Sequence, residues 1–160
     1  MCRSERTVKR YSFSKRKRLV SNRQFRSVIA RKMSARDGLL IVCLAENDCG
    51  YSRLGVSVGK SCGGAVVRNR LKRLLREAFR QSQDRIRPGF DYVVMISPQW
   101  SERLSDYKAE GASAGPTLEQ VKASFLGLAA AAFEKAGNRK QKEARPGGPK
   151  KSPENDVEWA

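Results

Sequence analysis

Apolar residues recur at helical spacing in two early stretches of the chain. The first stretch predicts a short helix capped by Ser21 or Asn22, and its apolar positions are Phe25, Val28 and Ile29. The second predicts a helix over residues 65–86, which ends before Pro88 because proline blocks its continuation. The pattern therefore indicates one short and one long amphipathic helix.

Three other stretches have the apolar content of strands. Residues 38–45 (GLLIVCLA) and 90–97 (FDYVVMIS) predict buried strands, and residues 51–60 (YSRLGVSVGK) alternate more openly. In the alternating strand, one face carries Leu54, Val56 and Val58. The other face has almost no bulk and carries Arg53, Gly55, Ser57 and Gly59. Glycine in a strand often marks a place where a ligand or another part of the chain comes close to the strand backbone. Either a ligand or the first helix is therefore expected on this face.

The last helix is predicted to begin at Thr117, with Gln120 at capping-box spacing. Its core face carries Leu118, Val121, Phe125, Leu128 and Phe133. Residues 98–116 are predicted to be a long loop inserted in a single domain, residues 13–137. A flexible basic arm and a disordered polar tail are expected at residues 1–12 and 138–160. The predicted order is helix, strand, strand, helix, strand, helix. A further strand is possible if residues 38–60 form three strands instead of two. This order predicts an α+β or α/β fold.

The chain has a large excess of positive charge. Its 160 residues include 33 Lys and Arg against 16 Asp and Glu, which gives a formal net charge of +17 and a pI near 10.3. Self-repulsion on this scale indicates a polyanionic partner. Nucleic acid is the favoured partner, and an anionic membrane surface comes second. No stretch has the roughly 18 apolar residues of a membrane span. The basic N-terminal segment also lacks the apolar run of a signal peptide, so a soluble cytoplasmic protein is expected.

Residues suited to metal or acid–base chemistry are few. The sequence has no His, which removes the usual general base at neutral pH. Its four Cys form no C-x-x-C pair, which argues against a zinc module and favours reduced thiols. The carboxylates are scattered, whereas two-metal cleavage of a phosphodiester needs them clustered. No catalytic residue and no protein-bound cofactor are therefore expected in this chain.

The helix predicted over residues 65–86 has one apolar and one cationic face. At about 100° per residue, one arc holds Val67, Leu71, Leu74, Leu75, Ala78 and Phe79. The opposite surface holds Asn69, Lys72, Arg73, Arg76 and Arg80. Arg68 extends it to the border of the apolar arc, and Arg70 lies at its far edge near Glu77. Cations three or four residues apart repel by a few tenths of a kcal/mol per pair, and only Glu77 relieves them. This pattern indicates phosphate binding, and Pro88 excludes a leucine zipper because it ends the helix before further heptads.

The stretch RLGVSVGKSCGGAVVRNRLKRLLREAFR (53–80) resembles the signature of the bacterial ribonuclease P protein family. The family motif R-N-R-x-K-R-x-x-R is matched by Arg68, Asn69, Arg70, Lys72, Arg73 and Arg76. The preceding strand motif R-x-G-x-S-V-x-K is matched by Arg53, Gly55, Ser57, Val58 and Lys60. RLVSNRQFRSVI (18–29) is similar to the family's first helix, and FDYVVMI (90–96) to its strand after the basic helix.

The resemblance implies a small two-layer sandwich of a four-stranded sheet with helices, shared with a ribosomal-protein domain. The implied order is αβββαβα with a left-handed crossover. It also implies that this chain is the protein subunit of an endoribonuclease whose catalyst is ribonuclease P RNA. That enzyme removes the 5′ leader of precursor tRNA with Mg²⁺ held through the RNA, and neither a membrane nor DNA is an expected partner.

The resemblance further implies two sets of site residues. The RNA-binding set is Arg53, Lys60, Arg68, Asn69, Arg70, Lys72, Arg73, Arg76 and Arg80. A leader cleft between the first helix and the sheet would be lined by Phe13, Phe25, Ile29 and Cys43. Ser61 and Gly64 replace a Lys and an Asn common in the family, which alters contacts expected at that loop. The alternative is a ribosomal or RNA-assembly protein that binds structured RNA without an enzymatic role.

Overall fold

The computed structural model describes residues 13–106 and 115–143. In these residues one mixed sheet is formed by Met33–Arg36 (β1), Leu40–Glu46 (β2), Arg53–Ser57 (β3) and Phe90–Ile96 (β4). The α-helices are Asn22–Ala30 (α1), Ala65–Gln81 (α2), Pro98–Asp106 (α3) and Leu118–Glu143 (α4). The strand order is β1-β2-β4-β3, and β3 runs parallel to β4 while the other pairs are antiparallel. The α+β class is confirmed, and α3 is added to the expected order αβββαβα; the left-handed crossover stays a prediction.

The sheet separates two apolar clusters because successive side chains of a strand point to opposite faces. Leu40, Val42 and Leu44 of β2 are fully buried in the larger cluster, against α4. Cys43 and Ala45 of the same strand belong to the smaller cluster, against α1. Each face of the sheet therefore carries its own helical layer.

An aromatic group forms the centre of the larger cluster. Phe79 of α2 lies with its ring centroid 6.1 Å from that of Tyr92 and 6.0 Å from that of Phe125, in edge-to-face geometry. Such pairs contribute about 0.5–1.5 kcal/mol each beyond the area they bury. Phe79 therefore anchors α2 to the sheet and to α4, which fixes the direction in which the opposite, cationic side of α2 faces.

The N-cap of α1 lies where the sequence predicts it, whereas the position of the next strand, β1, is not predicted. Ser21 Oγ accepts a hydrogen bond from the Gln24 N–H at 3.2 Å, and Gln24 Oε1 accepts one from the Ser21 N–H at 3.2 Å, which forms a capping box. β1 lies outside residues 38–60, where the sequence left room for another strand. Lys32 reverses the chain ahead of β1 in the left-handed region, at φ 55°.

The helix α2 ends at Gln81, short of the predicted residue 86. Ser82 is fully buried, its Oγ donates to the Ala78 carbonyl at 2.7 Å, and its N–H donates to the Phe79 carbonyl at 3.0 Å. The chain then turns, and Ile86 packs into the larger cluster. The helix is therefore terminated by the buried Ser82 and not by Pro88.

The predicted loop 98–116 is wrong over its first half, where α3 forms. Ser97 Oγ accepts from the Trp100 N–H at 3.3 Å, and Pro98 occupies the first helical position, where its missing N–H has no cost. Leu104 is buried one turn after the partly buried Trp100. Residues 107–114 of that loop lie outside the described residues.

The predicted cap of α4 is confirmed and its predicted end is wrong. Thr117 Oγ1 accepts from the Gln120 N–H at 3.3 Å, and Gln120 Oε1 accepts from the Thr117 N–H at 3.1 Å. The helix continues to Glu143, beyond the predicted start of the tail at residue 138. The remainder of that tail and the predicted arm, residues 1–12, lie outside the described residues. Within the described residues, no helix is both long and apolar enough to cross a membrane.

Candidate RNA-binding surfaces

The two faces of α2 are as the sequence predicts. Leu71, Leu75 and Ala78 are buried in the larger cluster together with Phe79. The predicted cations and Asn69 lie on the remainder of the helix surface. Asn69, Arg70 and Arg73 are exposed, and the partly exposed members are Arg68, Lys72, Arg76 and Arg80. One helix therefore presents a cationic face to solvent while its other face holds it to the sheet.

Arg68 differs from its neighbours because part of its guanidinium is buried. Its Nε is fully enclosed and has no hydrogen-bond acceptor among the described residues. The residue lies in the first turn of α2, and the N-cap residue Gly64 provides no side-chain hydrogen bond to that turn. A cation and unsatisfied helical N–H groups thus lie close together at the start of this face.

The C-terminal end of the face is partly neutralised. Glu77 Oε2 accepts from Arg80 Nε at 2.8 Å, and Glu77 Oε1 accepts from Gln81 Nε2 at 2.8 Å. These hydrogen bonds, that from Arg80 first, lower the pKa of Glu77 to about 2. Glu77 also raises the pKa of the Arg80 guanidinium. The charge available to an external anion therefore lies mainly on Arg68 to Arg76, ahead of this pair.

A cleft opens on the opposite side of the sheet, between α1 and the ends of β3 and β4. Its volume is about 490 Å³. Its lining residues are Val20, Asn22, Phe25, Arg26, Ile29, Val56, Ser57 and Met95. Ile29 and Val20 are unusually exposed for large apolar side chains, at 44% and 81% of their surface. The cleft thus combines open apolar surface with an amide, a hydroxyl and the exposed cation Arg26.

The floor of this cleft depends on a glycine. A Cβ at Gly55 would lie 2.7 Å from Cζ of Phe25 and 3.2 Å from Cβ of Leu19, which is closer than side chains pack. The Phe25 ring of α1 therefore lies directly on the β3 backbone. The bare strand face predicted from the sequence is covered by the first helix, and the space left beside that contact is the cleft.

Comparisons with known proteins agree on one family. The family model described as Ribonuclease P matches residues 13–110. The ribonuclease P protein component of Clostridium botulinum is 38% identical over 95 residues, which cover 59% of this chain and 84% of the relative. That of Thermotoga petrophila is 40% identical over 93 residues, which cover 58% and 80%.

Solved structures show the same relationship. The RNase P protein from Thermotoga maritima superposes with a TM-score of 0.58 at 31% identity, and covers 70% of this chain and 94% of its own. The Staphylococcus aureus RNase P protein gives a TM-score of 0.58 at 26% identity, over 72% and 94%. This chain belongs to the ribonuclease P protein family. It is therefore the protein component of an endoribonuclease complex with an RNA partner.

One residue of the implied leader cleft lies elsewhere in this ribonuclease P protein. Phe13 packs on the larger cluster, with its ring centroid 5.5 Å from that of Phe79, and the Arg18 guanidinium lies 5.0 Å above its ring. The segment then crosses the edge of β3, where the Leu19 N–H donates to the Leu54 carbonyl at 2.9 Å. Phe13 is thus on the α2 side of the sheet, and its assignment to the cleft is wrong.

Cys43 lies beneath the cleft and does not line it. Only 5% of its surface is exposed, among Val28, Ala45 and Val93 of the smaller cluster. Burial raises the pKa of its thiol, which keeps it neutral. Cys43 therefore acts as a small apolar core residue, while Phe25 and Ile29 of the implied set do line the cleft.

Arg53 and Lys60 lie outside the helix α2. Arg53 of β3 donates from Nε and Nη2 to the two carboxylate oxygens of Asp91, at 2.7 and 2.6 Å. Asn47 Nδ2 also donates to Asp91 Oδ1, at 2.7 Å. This network joins β3 to β4 at their N-terminal ends. Lys60 is exposed in a short 3₁₀ helix, Lys60–Cys62, just ahead of α2.

The sequence prediction missed six lining residues of the cleft: Val20, Asn22, Arg26, Val56, Ser57 and Met95. Asn22 and Arg26 lie three residues before Phe25 and Ile29 respectively, on the same side of α1, so helical spacing could have identified them. Ser57 shares the strand face of Gly55, which was also visible in the alternation. Val20 directly precedes the cap of α1, and its N–H donates to Gln24 Oε1 at 3.2 Å. Met95 reaches the cleft only through the packing of α1 on the distant strand β4, for which the sequence has no local signal.

Within residues 13–106 and 115–143, no group of three or more Cys, Asp or Glu side chains is placed to hold a metal. The buried carboxylate of Asp91 is already hydrogen-bonded to Arg53 and Asn47.

Proposed function

We propose that this protein binds ribonuclease P RNA through the cationic face of α2 and the 5′ leader of precursor tRNA through the cleft beside α1. In this way it assists the Mg²⁺-dependent removal of the leader, with the ion held by the RNA. The observation that carries the proposal is the placement of these two surfaces on opposite sides of one sheet. A single rigid domain can therefore contact two RNA segments at the same time.

The face of α2 suits the backbone of a folded RNA. Arginine presents a planar fork of donors that matches phosphate oxygens, and Arg68, Arg70, Arg73 and Arg76 are spaced along little more than two helical turns. The N–H groups at the start of α2 add a favourable site for phosphate beside Arg68. Six to ten phosphate contacts would make affinity fall about 10³–10⁵-fold between 50 and 200 mM salt.

The cleft suits a single strand. Unpaired bases can lie against apolar surface such as Ile29 and Met95 while their phosphates meet Arg26 at the rim. The Phe25 ring is held against Gly55, so the cleft offers mainly aliphatic surface and little ring for stacking. We therefore expect leader binding of modest sequence preference, and the enzyme to accept precursor tRNAs with varied leaders.

Reconstitution tests this proposal. The full chain is mixed with a bacterial ribonuclease P RNA and precursor tRNA at low magnesium, and release of the 5′ leader is followed in time. The expected result is strong stimulation over the RNA alone, with no cleavage by the protein alone. RNA binding without stimulation would favour a structural RNA-assembly role, and cleavage by the protein alone would place the chemistry in this chain.

A further inference from the structure

A second groove lies where α4 meets the connection between α2 and β4. Its volume is about 430 Å³, and it contains none of the residues assigned above to RNA. Ile86, Leu126 and Phe133 provide its apolar surface. Arg85 and Arg87, both exposed, form one wall, and the Arg87 guanidinium lies 5.1 Å above the Phe133 ring.

These walls define the chemistry of an occupant. The apolar surface favours an aliphatic or aromatic side chain, and the two guanidinium groups favour carboxylates beside it. Glu134, which also lines the groove, disfavours a uniformly acidic ligand. The groove therefore fits a peptide in which acidic and apolar residues alternate.

The chain itself contains such a segment. Residues 154–159 read Glu-Asn-Asp-Val-Glu-Trp, in which the acidic residues Asp156 and Glu158 alternate with Val157 and Trp159. In an extended conformation, alternation places the carboxylates on one side and the apolar side chains on the other. Against 33 cations the chain has only 16 acidic residues, and three of them lie in these six positions.

The reach of the connecting segment fits the groove. At 1.5 Å per residue, the groove residues of α4 lie about 9–25 Å back from its end at Glu143. Residues 144–156 contain Pro-Gly-Gly-Pro, which allows the chain to reverse, and a flexible segment of this length has a root-mean-square span of about 20 Å. A span that matches the distance gives an effective concentration in the millimolar range.

We propose that residues 154–159 bind in this groove, with Trp159 or Val157 on the apolar surface and Asp156 and Glu158 facing Arg85 and Arg87. Binding neutralises these two cations, so that an RNA is directed to the α2 face and away from the end of α4. The proposal is independent of the proposed function, since it requires no RNA.

Tryptophan fluorescence of the full chain tests it. The chain has two Trp, and subtraction of the spectrum of a Trp159→Phe variant isolates the Trp159 signal. Quenching of that signal by acrylamide is expected to be at least about twofold weaker than that of a free peptide of residues 152–160, because a bound indole is shielded. The double variant Arg85→Glu, Arg87→Glu should restore full quenching, and adding Asp156→Lys with Glu158→Lys should shield Trp159 again.

Each other outcome overturns the proposal. Quenching of Trp159 in the unmodified chain as strong as that in the free peptide would show that the segment does not bind. Shielding that is lost on substitution of Arg70 and Arg73, but not of Arg85 and Arg87, would place the segment on α2. Shielding that increases with protein concentration would assign the groove to a second copy of the chain. Circular dichroism of each variant confirms that the exposed substitutions leave the fold intact.

Discussion

The cationic face of α2 and the cleft beside α1 lie on opposite sides of one sheet and are built differently. The α2 face belongs to a single helix, and its side chains point outward because Leu71, Leu75 and Phe79 hold the other side in the core. The cleft requires α1, β3 and β4 together, and its shape depends on the contact between Phe25 and Gly55. The first surface is local and depends on charge, whereas the second is non-local and depends on shape.

The largest expected effect comes from removing charge on α2. Arg68→Ala with Arg70→Ala and Arg73→Ala should weaken binding to ribonuclease P RNA about 100-fold, and the slope of log affinity against log salt should fall by roughly 2–3. Filter binding at several salt concentrations measures both. The same charge is removed in a control triple of exposed cations away from α2, Arg36→Ala, Arg103→Ala and Lys135→Ala. If the control triple binds ribonuclease P RNA as weakly as the α2 triple, then net charge and not the α2 face determines the affinity.

The next effect should come from the floor of the cleft. Gly55→Ala forces Phe25 and α1 away from β3, and overpacking of this kind costs about 1–3 kcal/mol. Urea unfolding measures the loss, and binding of precursor tRNA by the assembled enzyme should weaken as well. Gly127→Ala is the matched control, because a Cβ there meets nothing within 4 Å and should be neutral or slightly stabilising. An unchanged free energy of unfolding for Gly55→Ala would contradict the close contact between Phe25 and Gly55.

Substitution of Arg53 distinguishes a role in RNA binding from a role in stabilising the fold. Arg53→Gln leaves Asp91, which is only 6% exposed, with Asn47 as its remaining side-chain donor. Such a buried, incompletely paired carboxylate should lower the free energy of unfolding by about 2 kcal/mol. RNA affinity, measured well below the melting temperature, should change little. A large loss of affinity with intact stability would show that Arg53 contacts RNA directly.

A smaller effect is expected from the apolar surface of the cleft. Ile29→Ser should weaken the binding of precursor tRNA by the assembled enzyme about fivefold, since roughly 1 kcal/mol of apolar contact is lost. Binding of ribonuclease P RNA should not change. Val66→Ser is a matched control, because Val66 is 83% exposed and lies outside the cleft. Equal effects of the two substitutions on precursor tRNA would argue against the cleft as the leader site.

The smallest effect concerns Glu77. Because its pKa is lowered from 4.5 to about 2, its ion pair with Arg80 stabilises the fold above pH 4.5, and that contribution is lost as the pH falls toward 2. The pair is 36–39% exposed, so solvent screens it and its contribution to stability is small. Glu77→Gln should remove this pH dependence in thermal unfolding and should strengthen RNA binding slightly. A weaker RNA affinity would contradict its role as a partial neutraliser of the face.

The sequence predicts the local features well, for a physical reason. The two faces of α2 follow from helical periodicity, and the capping boxes at Ser21 and Thr117 follow from residue types three positions apart. These features depend on neighbours along the chain. The residues of the α2 face can therefore be predicted without knowledge of the fold.

The errors in the sequence prediction occur where distant segments meet. Phe13 was expected in the cleft, yet its partner Phe79 is 66 residues away in the sequence and lies on the other side of the sheet. The helix α3 lies outside the sequence prediction because polar residues dominate its sequence. Its apolar contacts with the larger cluster come from Trp100 and Leu104. Ser82 ends α2 through its own burial, which no local pattern reveals.

The most direct test of the division between the two surfaces is site-specific cross-linking in the assembled enzyme. A photoreactive group is attached at Ile29→Cys or at Arg73→Cys, in a chain whose Cys2 and exposed Cys49 are both replaced by Ser. The probe at position 29 should mark nucleotides of the 5′ leader, and the probe at position 73 should mark ribonuclease P RNA. Labelling of the same RNA segment from both positions would contradict the assignment of one surface to each RNA.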